Sequence, residues 1–592
     1  MREHGRLKTG SAGRGTAAGA GQLTRRAFLA SAGTVSLGAL LAACTGGVGR
    51  SLFTQAPPSH VVPAGYDPAR AAMHVPTEVL LRVWRGFHPE RSGSVLYVPD
   101  GFNYVDGGIS HSTPWPYTQD VPMLWYGPGF IRSQGPVSRA VTLADVAPTL
   151  ARLLGFPFDA PDGTPMDEAL LPAAPPPKLV VVLVWDAGGR YVLDLHPDRW
   201  PHTQRLAPQG TWYEHASVGS SPSSTAPAHA TIGTGAFPRR HGIMDNFMRW
   251  PDGAISDPWS RGPEGLLPPT VADRYGAEMG AKALIGTFAT LSWHLGMMSH
   301  GAQFPGGGRH VAVLRNDLDM CVLDGSGRDL DSHTHDTGKG ARAAKWGLPR
   351  QVAEFYRFPD YVNDLPPLSA YRDVADAADG RRDGRWRGHS IEELRGGFDT
   401  PARYPYQGRA IREVIEREGF GHHEATDLVF LNYKLIDEIG HLYSASSPEM
   451  GDAIAGQDAA LPRFIRYLNR QVGRGKWVLL VTADHGHTAA PAVSGGVPIQ
   501  VDRIDRQLDG AFHVPDRSPI SAKTRPTWLF PNDVERYVAG VTLVQIAGFV
   551  QRLTRAETAG GPMVSSTRRE DPTMLAAFPG SVLLGLPGIP RS

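Results

Sequence analysis

Three apolar runs of strand length set the frame of this chain: KLVVVLVW before Asp186, the run Leu428–Tyr433, and the run Trp477–Thr482. Helical stretches separate them. Strands that alternate with helices build a mostly parallel sheet covered on both faces. In such sheets a site forms at the C-terminal strand ends. Asp186 ends the first run, Asp437 and His441 follow the second in DEIGH, and Asp484 and His485 follow the third in TADHGH. Carboxylates and imidazoles gathered there are the donors that a pair of zinc ions takes.

Between the first two runs lies SPSSTAPAHATIGTGAFPRRHGIMDN, from Ser221 to Asn246. It reads as a loop that stops at a hydroxyl and then starts a helix. Pro227 suits a first helical turn, where a missing N–H costs nothing. Thr225 therefore sits where free backbone N–H groups favour an anionic phosphoryl group. A hydroxyl is a weak nucleophile at neutral pH and needs an activator. Ser223 and Ser224 are its rivals, and a plain helix cap is the simpler reading of any one of the three.

In this order the motifs resemble the alkaline phosphatase superfamily, in particular its type I phosphodiesterase/nucleotide pyrophosphatase branch. The residues that carry the resemblance are Asp186, Thr225 in STAPAH, Asn246 in HGIMDN, Asp437 and His441 in DEIGH, and Asp484 and His485 in TADHG. It implies a three-layer α/β/α fold with a mostly parallel central sheet and a loop-rich cap. It also implies two zinc ions, with other divalent metals possible, and a covalent phosphoryl-enzyme intermediate. One zinc would be held by Asp437, His441 and His111. The other would be held by Asp186, Asp484 and His485, with Thr225 as nucleophile. Asn246 would bind an equatorial phosphoryl oxygen, and His229 would support the loop.

His111 stands out of order. The segment 76–155, with ISHSTPWPYTQDVPMLWYGPGF and TLADVAPTLARLLG, resembles the C-terminal end of such a domain, where a histidine supplies the last zinc ligand. After His485 only His487 and His513 remain. His487 is expected to point elsewhere, and the surroundings of His513 do not look like the family's. The chain therefore reads as circularly permuted, with 156–177 as a Pro-rich connector between the old termini. The simpler alternative is a separate N-terminal domain in which His111 is a loop histidine. Leu143, Val146, Leu150 and Leu153 in TLADVAPTLARLLG form a helical stripe. In the permuted reading 178–300, with a strand at 281–287, and 406–592 are the two halves of the catalytic core. Residues 301–405 are a cap, and His333, His335 and Asp336 within it read as a solvated loop.

The N-terminus reads as a targeting segment, 1–44. Arg25 and Arg26 form a twin-arginine signal, an apolar run follows, and LAAC ends at Cys44 as in a bacterial lipoprotein. Residues 45–75 read as a tether. The expected location is extracytoplasmic, anchored to the cell membrane through a lipidated Cys44. Cys321 is the only other cysteine, so the mature chain holds no internal disulfide. A net charge of +1 gives no sign of a nucleic-acid-binding surface. The expected partner is a small phosphoester, and the oligomeric state is left open.

The basic residues that some monoesterases place after the first half of the core are missing here until Arg309, which favours a diester. Sulfatase is disfavoured because no Cys or Ser stands in the Cys/Ser-x-Pro-x-Arg setting. A phosphomonoesterase, a phosphomutase and a non-catalytic surface lipoprotein are the alternatives.

Overall fold

The computed structural model describes residues 65–105, 109–172, 175–290, 294, 310–314, 356–357, 359–512, 517–559 and 568–586. All of them fall in one compact unit, residues 55–592. Arg25, Arg26, Cys44, Arg309, Cys321, His333, His335, Asp336 and His513 lie outside the described residues.

The core is a nine-stranded sheet. From one edge its strands are Tyr356–Arg357, His310–Leu314, Ile285–Ala289, Asp427–Tyr433, Leu179–Trp185, Trp477–Thr482, Met123–Tyr126, Thr211–Ser217 and Gly135–Thr142. The first six are parallel. Met123–Tyr126 runs antiparallel to both its neighbours, and the last two strands are parallel. The protein is thus mixed α/β with a mostly parallel central sheet, as the alternation of runs predicts.

The three apolar runs sit side by side at the centre, with Val182 between Phe430 and Leu480. Every residue of these strands is buried. Unbroken apolar runs are what a strand covered on both faces requires, and each buried Val or Leu contributes roughly 1.5–3 kcal/mol. Helix Pro448–Leu468 begins at Ser447, whose hydroxyl accepts the Met450 N–H at 3.1 Å.

The segment around His111 is woven into this core. Met123–Tyr126 pairs with Trp477–Thr482, and Tyr104–Val105 pairs with Pro498–Ile499. Val95–Pro99 lies inside a second, four-stranded antiparallel sheet, between Trp528–Pro531 and Met574–Pro579. Leu143 of the 3₁₀ turn Leu143–Asp145 and Val146, Leu150 and Leu153 of helix Val146–Leu154 are buried along the expected stripe. Asp145 closes a capping box on Thr142. The connector that follows is fitted to this helix. Thr164 N–H donates to Asp145 at 2.6 Å, and Met166 and Ala169 are buried.

Three sequence expectations differ from the structure. The tether read over 45–75 contains helix Pro68–Met73, which buries Ala71 and Ala72. Beside it the Tyr66 hydroxyl donates to Ala577 O. The strand expected at 281–287 starts later, at Ile285, because Gly280–Lys282 makes a tight 3₁₀ turn after helix Val271–Met279. The segment read as a cap, 301–405, gives two strands to the central sheet, His310–Leu314 and Tyr356–Arg357. Short apolar runs inside polar, Gly-rich sequence carry little periodicity by which to tell strand from loop. Among the described residues no helix is long and apolar enough to cross a membrane.

Candidate metal centre and nucleophile

The strand ends deliver the expected side chains to one place. Asp186 follows strand Leu179–Trp185, and Asp484 and His485 follow strand Trp477–Thr482. Helix Leu435–Tyr443 carries Asp437 and His441 one turn apart, on the same face. Ala187 holds a left-handed φ of 58°, a conformation that costs a non-glycine residue about 1 kcal/mol or more. That backbone turn lets its N–H donate to Asp484 Oδ1 at 2.9 Å.

Among the described residues four sets of three ligand atoms lie within 4.8 Å of one another: His111–Asp437–His485, Asp437–His441–His487, Asp186–Asp484–His485 and Asp186–His229–His294. Asp437 centres one group, where its Oδ1 lies 3.3 Å from His111 Nε2 and 3.5 Å from His441 Nε2. His485 centres the other, where its Nε2 lies 3.3 Å from Asp484 Oδ2 and 3.8 Å from Asp186 Oδ1. Metal–ligand bonds of about 2.0–2.1 Å in a tetrahedron separate neighbouring ligands by about 3.3 Å. The rings of His111 and His485 stack at 3.7 Å between centroids, so the two groups adjoin.

The hydrogen bonds behind these ligands fix their tautomers. Nδ1 of His111, His441 and His485 faces the carbonyls of Ser223, Ile109 and Gly486 at 2.8, 2.7 and 3.0 Å. An Nδ1–H donated to a carbonyl leaves Nε2 as a lone pair aimed inward, the usual support for a metal-bound histidine. This tautomer is assigned from the hydrogen-bond network.

The charges also fit divalent cations. Asp186, Asp437 and Asp484 are all at most 2 % exposed. Asp437 Oδ1 and Asp484 Oδ2 are buried without a hydrogen-bond partner. Orphaned carboxylate oxygens of this kind cost free energy unless a cation meets them. Burial and the charge of Asp186 push the Asp484 carboxyl well above its usual range. Burial opposes ionisation of Asp437 too, but Lys434 and His441 outweigh it and hold that carboxyl low. Burial and His111 push the His485 imidazole well below its ordinary value, which keeps it in the neutral, ligating form.

Thr225 is the first residue of helix Thr225–Thr234, which is buried along its whole length. Its Oγ1 lies 3.4 Å from His485 Nε2, beside the second group. The rival serines are engaged elsewhere. Ser223 Oγ donates to the carbonyls of His111 and Thr113 at 2.7 and 2.8 Å, and Ser224 Oγ meets Ser112 Oγ at 3.2 Å. Asn246 Oδ1 accepts the Ala226 N–H at 3.0 Å, which places its amide at the start of the same helix. All eight expected residues therefore converge. They are His111, Asp186, Thr225, Asn246, Asp437, His441, Asp484 and His485.

His487 departs from expectation. It does not point elsewhere: its ring lies 5.0 Å from that of His441 and 5.4 Å from that of His111. Gly440, on the next helix, leaves the room, since a Cβ there would come within 2.4 Å of the His487 ring. Nδ1 of His487 lies 2.9 Å from the Thr488 N–H, which it accepts, and 3.3 Å from the Thr488 carbonyl, while its Nε2 is buried without a hydrogen-bond partner beside Asp437 and His441.

Three further residues escaped the sequence reading. Asn432 Nδ2 donates to Asp186 Oδ2 at 2.9 Å and to His229 Nε2 at 3.1 Å. His229 Nδ1–H in turn meets the Thr225 carbonyl at 2.8 Å. His294 Nε2 lies 3.0 Å from Asp186 Oδ2. Lys434 Nζ lies 3.0 Å from Asp186 Oδ1 and 2.5 Å from Asp437 Oδ2. Asn432 and Lys434 had a signal available, as polar residues in NYK at the end of an apolar strand. His294 had none.

Comparison with known proteins gives a consistent picture. The chain is 26% identical over 358 residues to alkaline phosphatase PhoV of Synechococcus elongatus, covering 53% of this chain and 60% of that one. It is 24% identical over 349 residues to a calcium-transporting ATPase of Myroides odoratus, covering 53% and 61%. It is 24% identical over 368 residues to alkaline phosphatase PafA of Elizabethkingia meningoseptica, covering 53% and 60%. The chain thus spans about 60% of the length of these relatives. The model of the type I phosphodiesterase / nucleotide pyrophosphatase family matches residues 180–539, more than half of the chain. That span holds every convergent residue except His111. The chain belongs to the type I phosphodiesterase / nucleotide pyrophosphatase family.

Proposed function

We propose that this protein is a zinc-dependent phosphoester hydrolase, a phosphodiesterase, that works through a phosphothreonine at Thr225. One observation carries the reading. Two adjoining groups of ligands, buried apart from the exposed His441 and each with an unpartnered carboxylate oxygen, lie together, and His485 of the second meets the hydroxyl that opens a helix. Asp437, His441 and His111 would hold one zinc, and Asp186, Asp484 and His485 the other. Bound there, the pair would supply Lewis acidity for the threonine hydroxyl, the departing oxygen and water.

The chain's own residues do the rest. The start of helix Thr225–Thr234 offers free N–H groups to a phosphoryl oxygen. The Asn246 amide, steadied by the Ala226 N–H, reaches an equatorial oxygen that gathers charge in the transition state. Thr225 Oγ forms a bond to phosphorus as it gives up its proton and the bond to the leaving oxygen breaks in line; that oxygen departs with the electron pair and takes up a proton to become the alcohol. Water then attacks phosphorus as the bond to Thr225 Oγ breaks, one proton of the water returns to Oγ, and the threonine hydroxyl is restored. The link Thr225–His229–Asn432–Asp186 ties the nucleophile's helix to a ligand, which keeps their spacing fixed.

In the same reading the chain is circularly permuted. The family match begins at residue 180, while the segment with His111 precedes it and packs into the core. Export by the twin-arginine route and lipidation at Cys44 belong to the proposal as well. A phosphomonoesterase is the second reading, favoured by the names of two relatives, both alkaline phosphatases. Turnover of bis-(p-nitrophenyl) phosphate against p-nitrophenyl phosphate by zinc-loaded protein decides between them, with Thr225→Ala as the blank. Preference for the diester supports the first reading and preference for the monoester the second. No turnover of either, with zinc bound, sinks both.

A further inference from the structure

We propose that Lys434 is a positioning residue of this centre, an ammonium that joins a carboxylate of one metal group to a carboxylate of the other. The proposal rests on the metal-dependent hydrolase reading above. Lys434 ends the strand Asp427–Tyr433 and opens the helix that carries Asp437 and His441. Its side chain is 5% exposed. Nζ stands 3.0 Å from Asp186 Oδ1 and 2.5 Å from Asp437 Oδ2, a charge-assisted bond to each. Asp437 thereby divides its oxygens: Oδ2 faces the lysine, and Oδ1 faces His111 and His441. Asp484 and Glu438 add to the negative field around the ammonium.

One consequence follows from this geometry. Before metal arrives, the ammonium lies between the buried carboxylates of Asp186 and Asp437, while His441 Nε2 lies 3.5 Å from the other oxygen of Asp437. A neutral side chain at this position would leave the two carboxylates facing each other without that link, which is destabilising. Lys434 thus holds the two groups assembled in readiness for metal, as a positioning residue.

The test uses the full chain with Lys434→Met and the double variant Lys434→Met/Asp437→Asn. Melting temperature is read without metal and with zinc, together with zinc content and kcat/KM for both nitrophenyl esters. Metal-free Lys434→Met should melt at least about 3–5 °C below wild type, and zinc should close most of that gap. The added Asp437→Asn should recover metal-free melting, since it removes one uncompensated charge. A gap that neither zinc nor Asp437→Asn narrows would mean that Lys434 only fills space. If Lys434→Met does not accumulate, recovery by zinc in the medium supports the proposal and failure to recover overturns it. A wild type that binds zinc but turns over neither ester would sink the hydrolase reading, while the melting comparison would still judge Lys434.

Discussion

Gly189 and Gly486 touch backbone to backbone: a Cβ on Gly189 would stand 2.4 Å from Gly486 Cα and 2.9 Å from Asp120 O. Only that contact lets the turn after Asp186 lie against the turn after His485. Gly189→Ala meets main chain, which cannot swing aside. It is expected to cost roughly 1–3 kcal/mol, and more if the loops resist. It should also lower turnover, as Asp186 is pushed from Asp484. Thermal melting and zinc content check this, and unchanged values would show that the loops slide apart freely.

Thr225→Ala should cut turnover by about 10³-fold or more while zinc content stays at the wild-type level. The variant keeps the Asp and His groups and loses only the hydroxyl proposed to attack. Residual turnover near wild type would pass the nucleophile's role to another group.

Ser223→Ala separates structure from chemistry. Its hydroxyl ties the loop to the carbonyls of His111 and Thr113. Its loss should cost about 1–2 kcal/mol in stability and change kcat by less than about threefold. A collapse of kcat with melting unchanged would mark Ser223 as part of the chemistry.

His111→Ala should lose about one equivalent of zinc and most activity, because its Nε2 is a supported lone pair beside Asp437. His487→Ala should keep both zinc equivalents, because its Nδ1 is taken as an acceptor. Metal analysis on the two variants decides. The opposite pattern would make His487 the ligand and His111 the bystander.

These residues differ in how openly the sequence announced them. Asp186, Asp484 and His485 follow apolar runs that can only be central strands, so their place at the edge follows from local pattern. Asp437 and His441 lie four residues apart on a helix and share a face for the same reason. His111 was legible only through resemblance, because its partners lie far along the chain. Lys434 follows an apolar strand, a place where a lysine is normally solvated. Its burial becomes visible only when Asp186 is folded onto it. The strand His310–Leu314 was hidden because it sits in Gly-rich sequence that reads as loop.

Chelation should lower the melting temperature, and zinc should restore it. A ligand at about 1,000 times its Kd stabilises the folded state by about 4 kcal/mol. Differential scanning fluorimetry with and without a chelator measures this. Identical melting in both would show that the two groups hold no metal.

Synthesis of the chain imposes an order on how this centre can be finished. Val95–Pro99 leaves the ribosome early, yet its neighbour on one side is Trp528–Pro531 and on the other Met574–Pro579. Until those residues have emerged, the early strand has two bare edges, and bare edges invite pairing with other chains. The nascent chain must therefore guard Val95–Pro99 until residues 528 and 574 have been made. A ribosome that stops short of residue 574 leaves that edge open for good.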